Sequence, residues 1–387
     1  MNGHIRKRKT KSGHTWQVII DVGVDSKGKR KRIFKSVKGN KKEAEKLLTK
    51  LLNEMDTGMY IEESKITLKD YLKDWLKTYV EVNLSPTTLD GYRYNIELHI
   101  IPYIGDIPLQ QLKPMHIQKL YQTLLKEGRR DGKGGLSAKS VRYVHRNLRE
   151  ALEHALKMEM INRNVADLVT LPKVKAYQVS VYDEDEVLTL LEKARGTDLE
   201  VPITLAVILG LRRGEMLGLK WADVDFKNHI FVIRNNLVDT SQGLILKSPK
   251  SQKGSRIIDI PETLAQLLKR HKKSQLKNKL QLGGHYQDND LVCCSNDGSF
   301  IPPKYFSQKF SRFLVRNDLK KIRLHDLRHT NATLMLKYGV PAKLASQRLG
   351  HSSVGITLDL YSHVIGDMQQ EVSDKIEAGI LQKIYPG

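Results

Sequence analysis

Residues 209–219 read LGLRRGEMLGL, and here a polar cluster interrupts a predicted apolar helical region. The Gly-Leu turn places Arg212 at the start of a predicted helix whose other face is apolar. Glu215 follows one helical turn later, so the two side chains can form an ion pair. That pair could be purely structural, and its interpretation depends on polar segments farther along the chain.

Two more polar segments follow. Residues 247–256, KSPKSQKGSR, form a basic loop before a predicted strand, which we interpret as the tip of a hairpin. Residues 325–330, HDLRHT, place His325 and Arg328 three positions apart. On a helix this spacing puts the histidine and the arginine on one face.

The last polar segment ends in a tyrosine. Residues 349–353 read LGHSS, and Tyr361 follows ten residues after His351. The order and spacing of these segments resemble those of the tyrosine recombinase family. That order is Gly-Leu-Arg, a basic hairpin, His-x-x-Arg-His, Leu-Gly-His and then a tyrosine. The whole chain resembles the integrases of temperate phages and integrative conjugative elements.

The resemblance implies six catalytic residues and one supporting carboxylate: Arg212, Lys250, His325, Arg328, His351, Tyr361 and, steadying the first arginine, Glu215. Two planar guanidiniums can grip the non-bridging oxygens of a phosphodiester. Tyr361 would be the nucleophile. A tyrosine with an ordinary pKa of about 10 needs a base or an electropositive site. His325 is the candidate base, and His351 is a second donor to the phosphate.

The leaving 5′-oxygen needs a proton, and the resemblance assigns its delivery to a lysine of the basic loop. Lys250 is the assigned residue, and Lys253 is the alternative. A phosphotyrosine keeps the bond energy of the phosphodiester, so the strand can be rejoined without ATP. The sequence has neither a Gly-rich phosphate loop nor a carboxylate cluster suited to two metals. We therefore expect no cofactor and no metal.

Composition indicates an anionic partner. The 387 residues include 65 Lys and Arg against 43 Asp and Glu, a net charge of +22, which is typical of nucleic-acid binding. The two cysteines, Cys293 and Cys294, are adjacent and predicted to be inert thiols on a strand, which favours a reducing compartment. No signal segment or membrane-spanning stretch is evident. We expect a bacterial cytoplasmic protein that acts at the nucleoid without a membrane partner.

The predicted fold class is multi-domain and begins with a small N-terminal β-sheet plus a helix in residues 1–58. This segment has 16 Lys and Arg against 6 Asp and Glu in residues 1–60. Its strands alternate basic and apolar residues, so the apolar side can pack on the helix while the basic side faces DNA. As an arm-type DNA-binding domain, it would use four residues of the strand KRKRIFKSV: Arg30, Lys31, Arg32 and Lys35.

Residues 66–173 are predicted to form an all-α core-binding DNA domain. Its second helix is expected to break at Pro102. The long fourth helix, residues 137–157, presents three arginines that either form a solvated face or contact backbone phosphates: Arg142, Arg146 and Arg149.

Residues 179–387 are predicted to form a mixed, mainly α catalytic domain with a small β-sheet. We expect residues 201–219 to be helical. The tail, residues 364–384, has apolar residues at helical spacing, which allows packing on its own chain or on a neighbouring subunit.

The sequence therefore predicts a site-specific DNA recombinase that integrates or excises a mobile element through a 3′-phosphotyrosine. Its partners would be double-stranded DNA at core and arm sites, three further copies in a homotetramer, and an excisionase or DNA-bending helper. One alternative is a catalytically inactive DNA-binding regulator of the same fold. Another is a metal-dependent nuclease in which His325 and His329 bind a metal with His351 or His363.

Overall fold

The chain forms two compact units, Met1–Lys175 and Ala176–Gly387. The computed structural model describes residues 2–10, 13–24, 28–57, 60–174, 180–247, 256–351, 353–361, 373–374, 376–381 and 384. For a few of them, including Tyr361, it describes the main chain only. Among the described residues, no helix has the length and apolar composition needed to cross a membrane.

The first unit begins with an antiparallel sheet in the order β1-β2-β3, covered by one helix. Asn40 caps this helix by accepting from the Glu43 N–H at 3.0 Å, and the Glu43 carboxylate accepts from the Asn40 N–H at 3.2 Å. Val18 and Ile20 are buried against Ala44. The predicted sheet and helix are thus present, with these bounds: β1 (Asn2–Thr10), β2 (Gly13–Val24), β3 (Arg30–Val37) and α1 (Lys41–Asp56).

The rest of the first unit is helical around its own core, which contains Trp75 and Tyr121. Its helices are α2 (Leu68–Trp75), α3 (Glu81–Asn83), α4 (Pro86–Asn95), α5 (Ile101–Ile104), α6 (Pro114–Glu127) and α7 (Ala138–Lys157). Wider π turns, Leu76–Val80 and Ile96–Ile100, join α2 to α3 and α4 to α5.

The predicted break at Pro102 is wrong, because the helical path continues to Ile104. The Ile101 N–H donates to the Ile96 carbonyl, a five-residue step that widens the helix just before the proline. Proline lacks an N–H and its ring collides with the preceding turn of a regular helix. The wider turn is a common way to accommodate such a residue without ending the helix.

The second unit combines helices with short strands around a third core. Its helices are α8 (Glu184–Ala194), α9 (Glu200–Ile208), α10 (Arg213–Leu217), α11 (Glu262–Leu282), α12 (Pro303–Arg316), α13 (Asp326–Lys337), α14 (Ala342–Leu349) and α15 (Val354–Tyr361). The stretch 201–219, expected to be helical, is two helices, and the turn at Gly210 that separates them is the predicted Gly-Leu turn.

The described strands of the second unit form two small antiparallel sheets, where one was expected. They are β4 (Val224–Asp225), β5 (Ile230–Ile233), β6 (Asn236–Thr240), β7 (Gly243–Lys247) and β8 (Arg256–Asp259). β8 pairs with β5, whereas β7 pairs with β6. Among the described residues the two strands that flank the basic loop thus belong to different sheets, and residues 248–255, on which the expected hairpin tip falls, lie outside the described residues.

The cysteines also differ from expectation. Leu291 forms an isolated bridge with Lys220, and the chain that follows it, with Cys293 and Cys294, is irregular rather than a strand. Both thiols are free, and Cys293 is buried. Burial raises the pKa of the Cys293 thiol well above its usual range.

Candidate active site

The turn between α9 and α10 positions the first arginine. Gly210 has φ +60°, and a Cβ there would lie 2.3 Å from the Leu349 side chain, so only glycine fits this left-handed position. The Asn331 amide donates to the Val207 and Ile208 carbonyls at 2.8 and 3.1 Å, tying α13 to the end of α9.

Arg212 caps α10, as its position after the glycine turn predicts. Its main-chain N–H donates to Glu215 Oε2 at 3.0 Å, and its guanidinium donates to Glu215 Oε1 at 2.8 Å. The Arg212 side chain is 39% exposed, whereas that of Glu215 is 8% exposed. The carboxylate therefore holds the arginine from the protein side and leaves its outer face open.

Arg328 lies in the first turn of α13 and is 2% exposed. Its guanidinium donates to the Gly210 carbonyl at 2.6 Å and to the Leu349 carbonyl. Burial and repulsion from Arg212 lower the pKa of Arg328 to about 9. The guanidinium therefore remains charged at neutral pH, held by carbonyl dipoles and without a carboxylate partner of its own among the described residues.

The C-terminus of α14 supports both arginines. Leu349 O accepts from Arg328, and Gly350 O accepts from Arg212. Gly350 closes the helix at φ +66°, the left-handed conformation that ends many helices. Helix C-termini carry partial negative charge, so two guanidiniums are stabilised there. The Leu-Gly-His segment is thus the common support of the arginine pair.

The three histidines of the site are neutral at pH 7. Desolvation of the ring, with repulsion from His329 and Arg328, lowers the pKa of His325 to about 4, although the residue as a whole is exposed. Burial, with repulsion from Arg328 and Arg212, lowers the pKa of His351 to about 4. Burial also lowers the pKa of His329.

The histidine rings have distinct neighbours. His351 Nδ1 lies 2.9 Å from Thr357 Oγ1, and the His325 and His329 rings meet edge to face at 4.9 Å. The described residues contain no group of three or more His, Cys, Asp or Glu side chains placed to hold a metal ion.

Arg256, at the start of β8, is a site residue that sequence reasoning missed. Its guanidinium donates to both oxygens of Glu215, at 3.0 and 2.9 Å, and to the Arg348 carbonyl at 2.9 Å. Burial raises the pKa of Glu215, but the bonds and charges of Arg256 and Arg212 outweigh it and lower that pKa to about 2. The only sequence signal was its position as the last residue of the basic stretch 247–256.

Two predicted catalytic groups are not described in atomic detail. Lys250, and its alternative Lys253, lie outside the described residues. Tyr361 is the last residue of α15, and its side chain also lies outside the described part. Because α15 packs against α13 and α14, its end belongs to the layer that carries Arg328 and His351.

The four basic residues predicted to bind DNA on β3 lie on two faces of the sheet. Ile33 packs toward α1, and alternation along a strand puts Lys31 and Lys35 on that same side. Arg30 and Arg32 lie on the open side. The expected single basic side is therefore wrong for the two lysines.

The two lysines are also paired with the segment that follows α1. Lys31 lies 3.1 Å from Glu62, and Lys35 contacts Glu63. The same segment is fastened to the helical part, since Gln110 donates to the Glu62 carbonyl at 2.9 Å.

The open side of the sheet carries arginines from β1 that sequence reasoning did not select. Arg6 and Arg8 alternate with the inward-facing Ile5, and both are exposed. Arg6 donates to Gln17 at 2.9 Å. We call this surface the open arginine face, formed by Arg6, Arg8, Arg30, Arg32 and the half-exposed Phe34.

The predicted arginines of α7 are all exposed on one side of the helix. Arg149 forms an ion pair with Asp167 at 2.6 Å, and the Arg146 guanidinium lies over the Tyr143 ring at 5.0 Å. Arg142 completes the row one turn before Arg146. The row agrees with either a solvated face or phosphate contacts.

Paired guanidiniums beside neutral imidazoles are the arrangement that suits an enzyme acting on phosphodiesters. Residues 180–366 match the Phage integrase family, and residues 67–125 match the phage integrase N-terminal SAM-like domain. The chain belongs to the phage integrase family, the tyrosine recombinases that cleave and rejoin DNA at specific sites.

Relatives match almost end to end. The chain is 28% identical over 377 residues to the tyrosine recombinase XerC-like protein of Caldanaerobacter subterraneus subsp. tengcongensis, covering 90% of this chain and 92% of that protein. It is 27% identical over 377 residues to the ICEBs1 integrase of Bacillus subtilis, covering 94% and 96%.

A solved structure of the Tn1549 transposon integrase in complex with transposon right end DNA has the same fold, with TM-score 0.65 at 18% identity over 79% of this chain and 99% of that chain.

Proposed function

We propose that this chain is the integrase of a mobile element and exchanges DNA strands through a 3′-phosphotyrosine formed at Tyr361. The main observation behind the proposal is that the Arg212 and Arg328 guanidiniums donate hydrogen bonds to adjacent main-chain carbonyls of one turn. That arrangement brings two fixed positive charges to one place, beside His325 and His351, without covering them by a shared carboxylate.

The arginine pair would hold the scissile phosphate. A guanidinium has five N–H donors, and the contacts to carbonyls and Glu215 use two donors of each arginine. The remaining donors can bind non-bridging oxygens. Because negative charge develops on these oxygens during displacement, donors fixed beforehand lower the barrier.

The family resemblance supplies the nucleophile, Tyr361, and its candidate base, His325. In our mechanism the Tyr361 phenolic oxygen forms a bond to phosphorus as the bond from phosphorus to the 5′-oxygen breaks. The phenolic proton passes to His325, which can accept it because its lowered pKa leaves the ring neutral. His351 donates to a non-bridging oxygen, with its other nitrogen against Thr357. Attack by the 5′-hydroxyl reverses every step and rejoins the strand.

A lysine of the loop between β7 and β8 would protonate the 5′-oxygen. Lys250 is our assignment and Lys253 the alternative. Replacing each with alanine tests it on a substrate whose 5′-bridging oxygen is replaced by sulfur, which leaves without a proton. The true general acid is the lysine whose loss slows cleavage of the oxygen substrate and spares cleavage of the sulfur substrate.

The division of labour among domains is part of the proposal. Residues 1–58 would bind arm sites through the open arginine face, residues 66–173 would bind the core site with Arg142, Arg146 and Arg149, and residues 179–387 would carry the chemistry. Four copies would act together in the bacterial cytoplasm at the nucleoid, with an excisionase or DNA-bending helper for excision.

The tail would join neighbouring copies. Its described residues Ile376, Ile380 and Ile384 are exposed and four apart, which forms an apolar stripe on a helix. We expect deletion after Gly366 to weaken tetramer assembly on DNA more than binding of one protomer. Equal loss in both would mean that the tail packs on its own chain.

The decisive experiment uses a labelled suicide substrate with a nick near the candidate crossover site, incubated in EDTA. Wild type should give a covalent protein–DNA band on a denaturing gel. Tyr361→Phe should give none, and Arg212→Lys should give a much weaker one.

Two other outcomes favour the alternatives. Strong DNA binding without a covalent band on any substrate would favour the inactive regulator of the same fold. Cleavage that stops in EDTA would favour a metal-dependent nuclease.

A further inference from the structure

Arg256 is a buried cation directly behind the proposed phosphate clamp. Its side chain is 8% exposed and faces Glu215, whose side chain is equally buried. Four hydrogen bonds converge on this carboxylate, two from Arg256 and two from Arg212. A Cβ on Gly350 would approach the Arg256 guanidinium to 3.3 Å, so Arg256 also packs under the turn that supports both arginines.

Glu215 poses an electrostatic problem for the clamp. It orients Arg212 through two hydrogen bonds, but its negative charge also offsets the positive charge that Arg212 offers to the phosphate. In a buried setting this offset is large, because charges interact strongly where water is excluded. A second cation bonded to the same carboxylate removes the conflict, since the orienting bonds remain while the net charge of the group rises.

We propose that Arg256 is a positioning residue for the recombination reaction, which neutralises Glu215 so that Arg212 keeps its full charge for the scissile phosphate. The inference rests on the proposed function of Arg212. The fork geometry supports it, because the two terminal nitrogens of Arg256 each bond one oxygen of the carboxylate, at 3.0 and 2.9 Å, in addition to the bonds from Arg212. The low pKa of Glu215 agrees, since bonding to Arg256 is its largest lowering cause.

Arg256 also ends the loop that contains Lys250 and Lys253. Its third contact, from Nε to the Arg348 carbonyl at 2.9 Å, fixes the first residue of β8 to the last turn of α14. The end of the lysine loop and the support of the arginine pair are therefore joined through one side chain.

The test is a charge-rescue series on the nicked suicide substrate. Arg256→Met should slow covalent complex formation by roughly 100-fold, the scale expected when fixed electrostatic stabilisation is lost. Core-site binding should change by less than about 3-fold, because the residue is buried behind the clamp. Adding Glu215→Gln to Arg256→Met should restore the rate by roughly 10-fold, since the uncompensated charge is then gone. A purely structural role predicts that the second change lowers the rate further.

Two variants serve as comparison. Arg348→Met removes one arginine beside the site but leaves the Glu215 pair intact, and it should cleave like wild type. Arg256→Lys keeps the charge and is the fallback if Arg256→Met melts below the assay temperature. It should lose less than about 10-fold, and adding Glu215→Gln to it should give no gain.

The outcomes separate this inference from the function on which it rests. If wild type forms no covalent band, the proposed function fails. If wild type forms the band and Arg256→Met matches it, only the role of Arg256 is overturned. If the double variant is no faster than Arg256→Met, neutralisation is overturned.

Discussion

Two regions of this integrase gather arginines, and they use them in opposite ways. In the active site Arg328 is almost fully buried and its nitrogens bond main-chain carbonyls. On the open arginine face of the N-terminal sheet, Arg30 and Arg32 lie exposed. One set is fixed before any DNA arrives, whereas the other can adjust to it.

The difference shows what burial does to a positive charge. Desolvation of a buried guanidinium is unfavourable and is offset here by carbonyls and the α14 C-terminus, which fix its geometry. An exposed guanidinium remains hydrated and screened by salt. The first arrangement suits stabilisation of a transition state, and the second suits salt-dependent attraction to a DNA backbone.

The largest expected contrast is between equivalent Arg→Lys changes in the two regions. Arg328→Lys cannot bond two carbonyls with a planar fork, and we expect covalent complex formation to fall roughly 1000-fold. Arg32→Lys should change arm-site affinity by less than about 2-fold. Suicide-substrate cleavage and arm-site titration measure the two, with thermal melting to verify folding. Similar losses in both assays would remove the distinction.

A second expected effect concerns the two sides of the sheet. Replacing Arg30 and Arg32 with Gln should reduce the slope of log arm-site affinity against log salt concentration by about 1.8. Each lost phosphate contact accounts for about 0.9 of that change. Replacing Lys31 and Lys35 with Gln is the matched control, because it removes the same charge from the α1 side. We expect less than half the change there. Equal changes in slope for the two double variants would mean that all four residues belong to one DNA-binding surface.

The buried region should also respond to pH. The folded pKa of His351 is about 4, below the usual value of about 6.5 for an unfolded chain. Between these two pH values the unfolded state binds more protons than the folded state. The contribution of the neutral ring to the free energy of unfolding is therefore fully present above about pH 6.5 and is lost as the pH falls toward 4. His351→Gln should therefore weaken the pH dependence of the thermal midpoint between pH 4.5 and 6.5. An unchanged dependence would mean that His351 is not a protected neutral ring.

The smallest expected effect involves the acidic residues beside the sheet. Removing the charges of Glu62 and Glu63 by Gln substitution leaves Lys31 and Lys35 uncompensated and should raise arm-site affinity about 2- to 5-fold at low salt, since exposed pairs are weak.

Gln at Glu45 and Glu54, which pair with lysines on α1, makes the same charge change elsewhere in the domain. It should give a smaller rise in arm-site affinity. If both double variants behave alike, only net charge matters.

The two regions also differ in how much the sequence predicts. In the active site, short motifs placed Arg212, Glu215, Arg328 and His351 in one site, because the glycine turns and helix starts that carry them are local features. The role of Arg256 was not predicted, because its partner Glu215 is 41 residues away along the chain and no local pattern indicates that contact.

In the N-terminal sheet, period-two alternation predicted the strands but not which basic residues share a face. The run KRKR alternates only lysine with arginine, so the inward side is set by Ile33 and Val37 packing on α1.

In the helical domain, Pro102 predicted the end of a helix. The helix continues past it because a π turn, with the Ile101 N–H donating to the Ile96 carbonyl, makes room for the proline ring.

The turn at residues 349–351 has a consequence for redesign of this enzyme. Its adjacent carbonyls accept hydrogen bonds from both arginines of the site. A substitution that moves this turn therefore changes the positions of both guanidiniums. A side chain at Gly350 would strain the left-handed turn and press on Arg256. We therefore expect the proposed phosphate clamp to respond to substitution as a single unit. A recombinase retargeted to a new DNA sequence should keep this turn unchanged and be altered in its exposed arginine surfaces.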